Sequence, residues 1–204
     1  MAAAVKRLIA ALTVCAALLL TACGRPAVAP AQAPPATEAI AEANAVTADG
    51  PHNDFDAMFL QMMIAHQQQG LQMLALGRQK AVREDVVDLA GAIDVTEAEE
   101  VRTMQRWLNA WNVPQTEITD PALHAAHGGR PATGPEEIKA LQDATGQDFE
   151  TKFLNLLIAH QHNAVELAQQ LSTTGQNKTV QQFAERIELS RTQQIKQMLT
   201  LAGG

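Results

Sequence analysis

The sequence is poor in cysteine, in serine and in positive charge, and each shortage removes a class of function. Among 204 residues there are two cysteines, Cys15 and Cys23. Both lie in the first 23 residues, so the region that could fold has no thiol for a disulfide, a thiolate metal site or a redox pair. Serine occurs only at positions 172 and 190, and neither stands in a Gly-x-Ser-x-Gly elbow. No glycine-rich loop of the phosphate-cradling kind is present. Acidic side chains outnumber basic ones and the formal net charge is −7, whereas a nucleic-acid surface needs a basic face. No stretch alternates with a period of two, so no sheet is predicted. Nucleophilic catalysis, nucleic-acid binding and a disulfide scaffold are thus disfavoured together, and the fold must rest on its hydrophobic core.

The first 50 residues read as processing and tether. Lys6 and Arg7 precede an apolar run, Leu8–Leu20, that is too short to span a hydrocarbon layer of roughly 30 Å as a permanent helix. Leu20-Thr21-Ala22-Cys23 follows. Small residues before a cysteine at the end of such a run are similar to a bacterial lipoprotein signal, with cleavage before Cys23 and a lipid on its thiol. The alternative is an ordinary secretory signal cleaved nearby. Loss of residues 1–22 would leave 13 Lys and Arg against 22 Asp and Glu, a balance of −9. Residues 23–50 are rich in alanine and proline and cannot build a core, so they are expected to tether the domain to a membrane through the lipid. The folded domain is then expected over residues 51–204.

That domain is organised around a repeat. Phe55–Met73 returns 94 residues later as Phe149–Leu167, and each copy carries one histidine, His66 or His160, followed by glutamine. At the same offset Val86, Ala90, Ile93, Val101 and Met104 meet Val180, Ala184, Ile187, Ile195 and Met198. Apolar residues recur at steps of three and four, the helical period. Four long helices are predicted: one from an Asn53 or Asp54 cap to Gly77, one from about Val82 to Trp111, one from Asp148 to about Gly175, and one from Thr179 to Leu201. Residues 114–146, with Pro114, Pro121, Pro131 and Gly128-Gly129 in their first part, join the halves through a loop and a short helix starting at Pro135. The fold class is therefore all-α: a four-helix bundle made of two tandem helical hairpins, about 51–113 and 147–204. On the second helix Glu97, Glu99, Arg102 and Arg106 are expected to face solvent.

The residues with chemistry gather near the histidines. Positions i−4, i+3 and i+7 share a helical face, which aligns Met62, His66, Gln69 and Met73, with Met63 beside them. Glu100 and Met104 are the candidates across the hairpin. Thioether and imidazole together suit copper, thioether favouring Cu(I). A di-iron bundle would need Glu-x-x-His, and no histidine here has glutamate three residues before it, so a di-metal enzyme is disfavoured. In the second half Leu156, Leu157 and Leu167 stand in place of Met62, Met63 and Met73, and Gln194 in place of Glu100. His160 and Met198 remain. His162 lies about 200° around the helix from His160 and is expected at the surface. His124-x-x-His127 is a weak metal pattern in the connecting loop. The competing account of the same stripe is packing alone, since methionine fills irregular cores. In that case the two histidines bond each other, or Gln67 and Gln161.

Met62–Gln69, together with Ile93, Glu100-Val101, Met104 and Trp107-Leu108, resembles the family catalogued as domain of unknown function 305, and the likeness extends over about residues 52–204. The resemblance implies a ferritin-like helical bundle, often exported or lipid-anchored, with some members implicated in copper binding in the periplasm. It implies metal ligation at Met62, Met63, His66, Glu100, Met104, His160 and Met198. The family's second histidine is Gln67 in one copy and Gln161 in the other, and a glutamine before the family's Glu becomes Glu97 and Arg191. Two functions remain open: copper capture without chemistry on a substrate, or a metal-free helical module that binds another envelope protein.

Overall fold

A computed structural model describes residues 46–115 and 133–203. The expected lipid site at Cys23 and the loop histidines His124 and His127 fall outside them. The described chain forms five helices: α1 (Asp54–Lys80), α2 (Glu84–Ala110), α3 (Pro135–Asp143), α4 (Gly146–Thr174) and α5 (Lys178–Ala202). There is no strand among these residues. The four long helices form the bundle, and α3 is the short helix of the connection.

Local chemistry explains where the helices begin and end. Asn53 caps α1: its side chain accepts from the Asp56 N–H at 3.0 Å, and the Asp56 carboxylate accepts from the Asn53 N–H at 2.9 Å, which satisfies two donors that the first turn would otherwise strand. Asn177 caps α5 by accepting from the N–H groups of Thr179 and Val180. At the far end of α2, Asn112 adopts φ 57°. The N–H groups of Asn112 and Val113 turn back to the carbonyls of Asn109 and Leu108, the double reverse bond that closes a helix on a left-handed residue.

Two expectations about the ends of elements need correction. Gly77 does not stop α1, which continues to Lys80. Its missing side chain has a packing reason instead, because a Cβ there would overlap the ring of Phe153 on α4. The tether also ends earlier than residue 50. Ala48 is buried, its carbonyl accepts from Trp111 Nε1 and Asn177 Nδ2, and the Val46 carbonyl accepts from Trp107 Nε1. His52 stacks on the Trp111 ring at 4.0 Å. Residues 46–53 are thus a strap latched over the end of α2.

The core is divided. One apolar cluster contains Phe59, Leu60, Met63, Val101, Met104, Trp107, Ala164, Leu171, Val180, Phe183 and Ile187. The other contains Met73, Leu74, Val86, Leu89, Ile93, Phe149, Phe153, Leu157, Ile195 and Met198. Each long helix passes from one cluster to the other, α1 and α5 in one direction and α2 and α4 in the opposite one. Repeat-related residues fall in opposite clusters, Met104 in the first and Met198 in the second. The two hairpins are therefore related by an approximate two-fold axis that exchanges the clusters.

Carboxylates brace the hairpins across that axis. Asp56 of α1 accepts from the N–H groups of Gln176 and Asn177, ahead of α5. Its repeat equivalent, Glu150 of α4, accepts from the N–H groups of Val82 and Arg83, ahead of α2, and from Arg83 Nε at 2.7 Å. Burial pushes the Glu150 carboxyl upward, but the bonds from Arg83 and the two N–H groups prevail and hold it below its ordinary value.

Candidate metal centre

Between the two apolar clusters lies a layer of polar side chains, and every long helix contributes to it. From α1 come His66 and Gln67, from α2 Glu97 and Glu100, from α4 His160 and Gln161, and from α5 Arg191 and Gln194. His66, Gln67, Glu97, His160, Gln161 and Arg191 are all buried, Arg191 with no exposed surface at all.

The two imidazoles meet face to face on the approximate two-fold, with ring centroids 3.7 Å apart and planes 17° from parallel. His66 Nε2 lies 3.1 Å from the carbonyl oxygen of His160. A carbonyl only accepts, so Nε2 carries the proton and the lone pair of a neutral His66 sits on Nδ1. That Nδ1 is buried and has no hydrogen-bond partner. His160 places Nδ1 3.3 Å from the Thr133 hydroxyl. Its Nε2, also without a well-formed hydrogen bond, lies against α1 at Gly70: a Cβ there would come within 2.9 Å of it and within 2.7 Å of Glu97 Oε2. The repeat equivalent of Gly70 is Ala164, so the notch exists on one side of the axis only. Both imidazoles are held neutral. Burial, then the Arg191 charge, lowers His66 to about 3. Burial, then His66 and Arg191, holds His160 well below its ordinary value.

The carboxylates are committed to different partners. Glu100 receives Gln67 Nε2 at 2.6 Å and an ion-pair hydrogen bond from Arg191 Nη2. Glu97 receives Gln161 Nε2 at 2.9 Å and faces Arg191 Nε at 3.6 Å. Burial raises the Glu97 carboxyl to about 7, against the opposing pull of Arg191 and Gln161. Gln161 also donates to Gln194 at 3.0 Å. The glutamines after the histidines thus bind the glutamates of α2 and not the histidines; of the two pairings the packing account allowed, the one between the histidines is present, through the His160 carbonyl.

The structure brings together His66 and His160 and separates the thioethers. Met63 and Met104 pack in one apolar cluster and Met73 and Met198 in the other, while Met62 is at the margin of the core. Gln69, expected on the inward stripe, donates to the Thr133 carbonyl at 2.7 Å. His162 is exposed, as its angular position required. Among the described residues, no three His, Cys, Asp or Glu side chains are grouped as metal ligands. Glu97 overturns its expected outward position. It stands four residues after Ile93 and four before Val101, both inward, so the period alone could have found it. Arg191, its repeat equivalent, was missed as a site residue, although opposite charges at matching positions of two apolar stripes signal a pair.

Three solved structures illustrate the likeness to known proteins. A DUF305 protein from Streptomyces coelicolor, thought to be secreted, is 26% identical, with a TM-score of 0.67 over 72% of this chain and 91% of its own. A DUF305 fragment from Deinococcus radiodurans is 24% identical, with a TM-score of 0.67 over 76% and 99%. CopM in its Cu(I)-bound form is 26% identical, with a TM-score of 0.60 over 72% and 94%, and CopM also has Cu(II)-bound and silver-bound structures. No protein of curated function matches. Residues 56–202 match the family described as domain of unknown function 305, and with the helical fold and the likeness to solved members, the chain belongs to that family.

Proposed function

We propose that this protein binds copper(I) at the imidazole pair of His66 and His160 and holds it as cargo, without making or breaking a bond in a substrate. The observation that carries this reading is the buried lone pair of His66 Nδ1, which no protein donor meets. A buried acceptor left unmatched costs about 1–3 kcal/mol, and a soft cation is one species that would use it. Two neutral imidazoles need no deprotonation before binding a metal. Binding of Cu(I), Cu(II) and silver by CopM supports metal as the ligand class. Glu100, already engaged by Arg191 and Gln67, serves in this reading to position Arg191. Met62 and Met63, one turn before His66, are the thioethers to test as further ligands, with Met73, Met104 and Met198 packing the clusters on either side.

Titration with Cu(I) against a competing chelator tests the site. His66→Ala and His160→Ala should each weaken binding at least tenfold, whereas Met73→Leu should leave it unchanged. Wild-type affinity in both histidine variants would remove the site from the centre.

The same reading places the protein outside the cytoplasm, held by a lipid on Cys23. No helix among the described residues is long and apolar enough to cross a membrane. Radiolabelled palmitate should enter the wild-type chain and not Cys23→Ser. A second reading, a metal-free helical module binding an envelope protein, draws on the Arg191 guanidinium, which already supplies the layer with a cation. Under it, Cu(I) would leave the thermal midpoint where it was, since only a ligand of the folded state raises it.

A further inference from the structure

We infer that Arg191 sets the charge of the ion the centre accepts, making it a site for monovalent soft cations and excluding divalent ones. The inference rests on the copper(I) reading above and concerns a residue that no ligand pattern assigns.

The argument is a charge count over a closed set of groups. The ionisable side chains that meet in the layer are His66 from α1, Glu97 and Glu100 from α2, His160 from α4 and Arg191 from α5. Asp94, which also acts on Glu97, is nearer the surface and paired with Arg78 at 2.8 Å. Both imidazoles are neutral, the two carboxylates carry one negative charge each when ionised, and Arg191 carries one positive charge at any working pH. The layer therefore has a single uncompensated negative charge. The carboxylate oxygen left over is Glu97 Oε2, which has no hydrogen-bond partner and shares the Gly70 notch with His160 Nε2.

A monovalent ion bound at the imidazole pair brings the layer to neutrality. A divalent ion leaves it with one net positive charge between two apolar clusters, where an unbalanced charge is strongly disfavoured. The guanidinium cannot relieve this by losing its proton, and with no exposed surface it cannot swing into solvent without opening the bundle. The symmetry of the repeat makes the device visible: the equivalent position on α2 is Glu97, so one member of a matched pair has become the cation and the other the spare anion.

The test compares Ag(I) with Zn(II) and Cu(II) at pH 8, with binding by competition titration and thermal midpoints with and without metal as a second readout. Wild-type protein should bind Ag(I) and prefer it over Zn(II). Arg191→Gln raises the layer's negative charge by one and should shift the preference at least tenfold toward Zn(II) and Cu(II). Glu97→Gln removes the spare anion and should weaken Ag(I) at least tenfold. The double variant Glu97→Gln/Arg191→Gln restores the wild-type count through Glu100 and should recover the wild-type preference to within a few-fold; it also guards against failure of Arg191→Gln to fold. Silver binding that depends on His66 but keeps its ion preference in folded Glu97→Gln and Arg191→Gln proteins would overturn the inference alone. Absence of His66-dependent silver binding in wild-type protein would overturn the copper(I) reading and the inference with it.

Discussion

The two hairpins agree at the ends of the bundle and disagree at its middle. At the ends, Asp56 and Glu150 do the same work: each carboxylate accepts from the N–H groups that precede the second helix of the other hairpin. A glutamate reaches one bond further than an aspartate, and Arg83 takes up the added reach, but the bracing is equivalent. In the middle the equivalents diverge: Glu97 against Arg191, Glu100 against Gln194, Gly70 against Ala164. Docking two copies of one hairpin requires matching contacts, so the braces repeat. A buried layer on the axis brings like residues face to face. Two stacked neutral imidazoles can share that position, but two glutamates could not remain ionised there without a cation. The departure from repetition turns a repulsive pair into an attractive one and leaves one carboxylate over.

The sharpest break of this comparison is Arg191→Leu. It leaves the buried Glu97 and the half-buried Glu100 without their cation, and chemical denaturation should report a loss of about 3–5 kcal/mol. Glu97→Leu/Arg191→Leu removes both members of the unequal pair and should recover most of it. A double variant as unstable as the single one would show that the pair is not the organising contact. Next in size is a pH effect. The Glu97 carboxyl is raised in the folded state from 4.5 to about 7, so the folded protein binds its proton more tightly than the unfolded chain. The sign follows: stability is greatest below 4.5 and falls as pH rises to about 7, by on the order of 3 kcal/mol for this group. Glu97→Gln should lack that component, so the stability difference between wild type and variant should change across pH 5–7 and level off above it. The histidines act oppositely, since their lowered values remove stability as pH falls below 6.5, but that contribution is common to both proteins.

The smallest effect sharpens the asymmetry of the notch. Gly70→Ala should destabilise by about 1–2 kcal/mol despite the better helix former, because the added methyl meets Glu97 Oε2 and His160 Nε2. Ala164→Gly, at the matched position, should cost about 1–2 kcal/mol through helix propensity and the loss of a buried methyl and leave Cu(I) affinity untouched. Equal affinity for Cu(I) in Gly70→Ala and wild type would separate the notch from the metal.

Much of the fold was legible because its signals are local. The cap at Asn53, the start of α3 at Pro135 and the ends of α4 and α5 fell within a few residues of expectation. Gly77 misled because glycine marks both a helix end and a close approach, and only the ring of Phe153 distinguishes them. The strap at 46–53 was hidden because its partners, Trp107, Trp111 and Asn177, are 55 or more residues away in sequence. For the centre, His66 and His160 were found through their recurrence. The methionine stripe was read as a single group because one helix seen alone does show one. In the bundle it runs through the polar layer, with sulfur on either side.

What this sequence determined by itself was the kind of object: two copies of an apolar helical pair, with a histidine at the same place in each. Helical period is a property of neighbours along the chain, so no partner is needed to read it. What only the tertiary structure decided was the company those histidines keep. A charged residue on an apolar stripe can be a misfit at the surface or half of a buried pair, and Glu97 became the latter only when the antiparallel docking of the second hairpin set Arg191 against it.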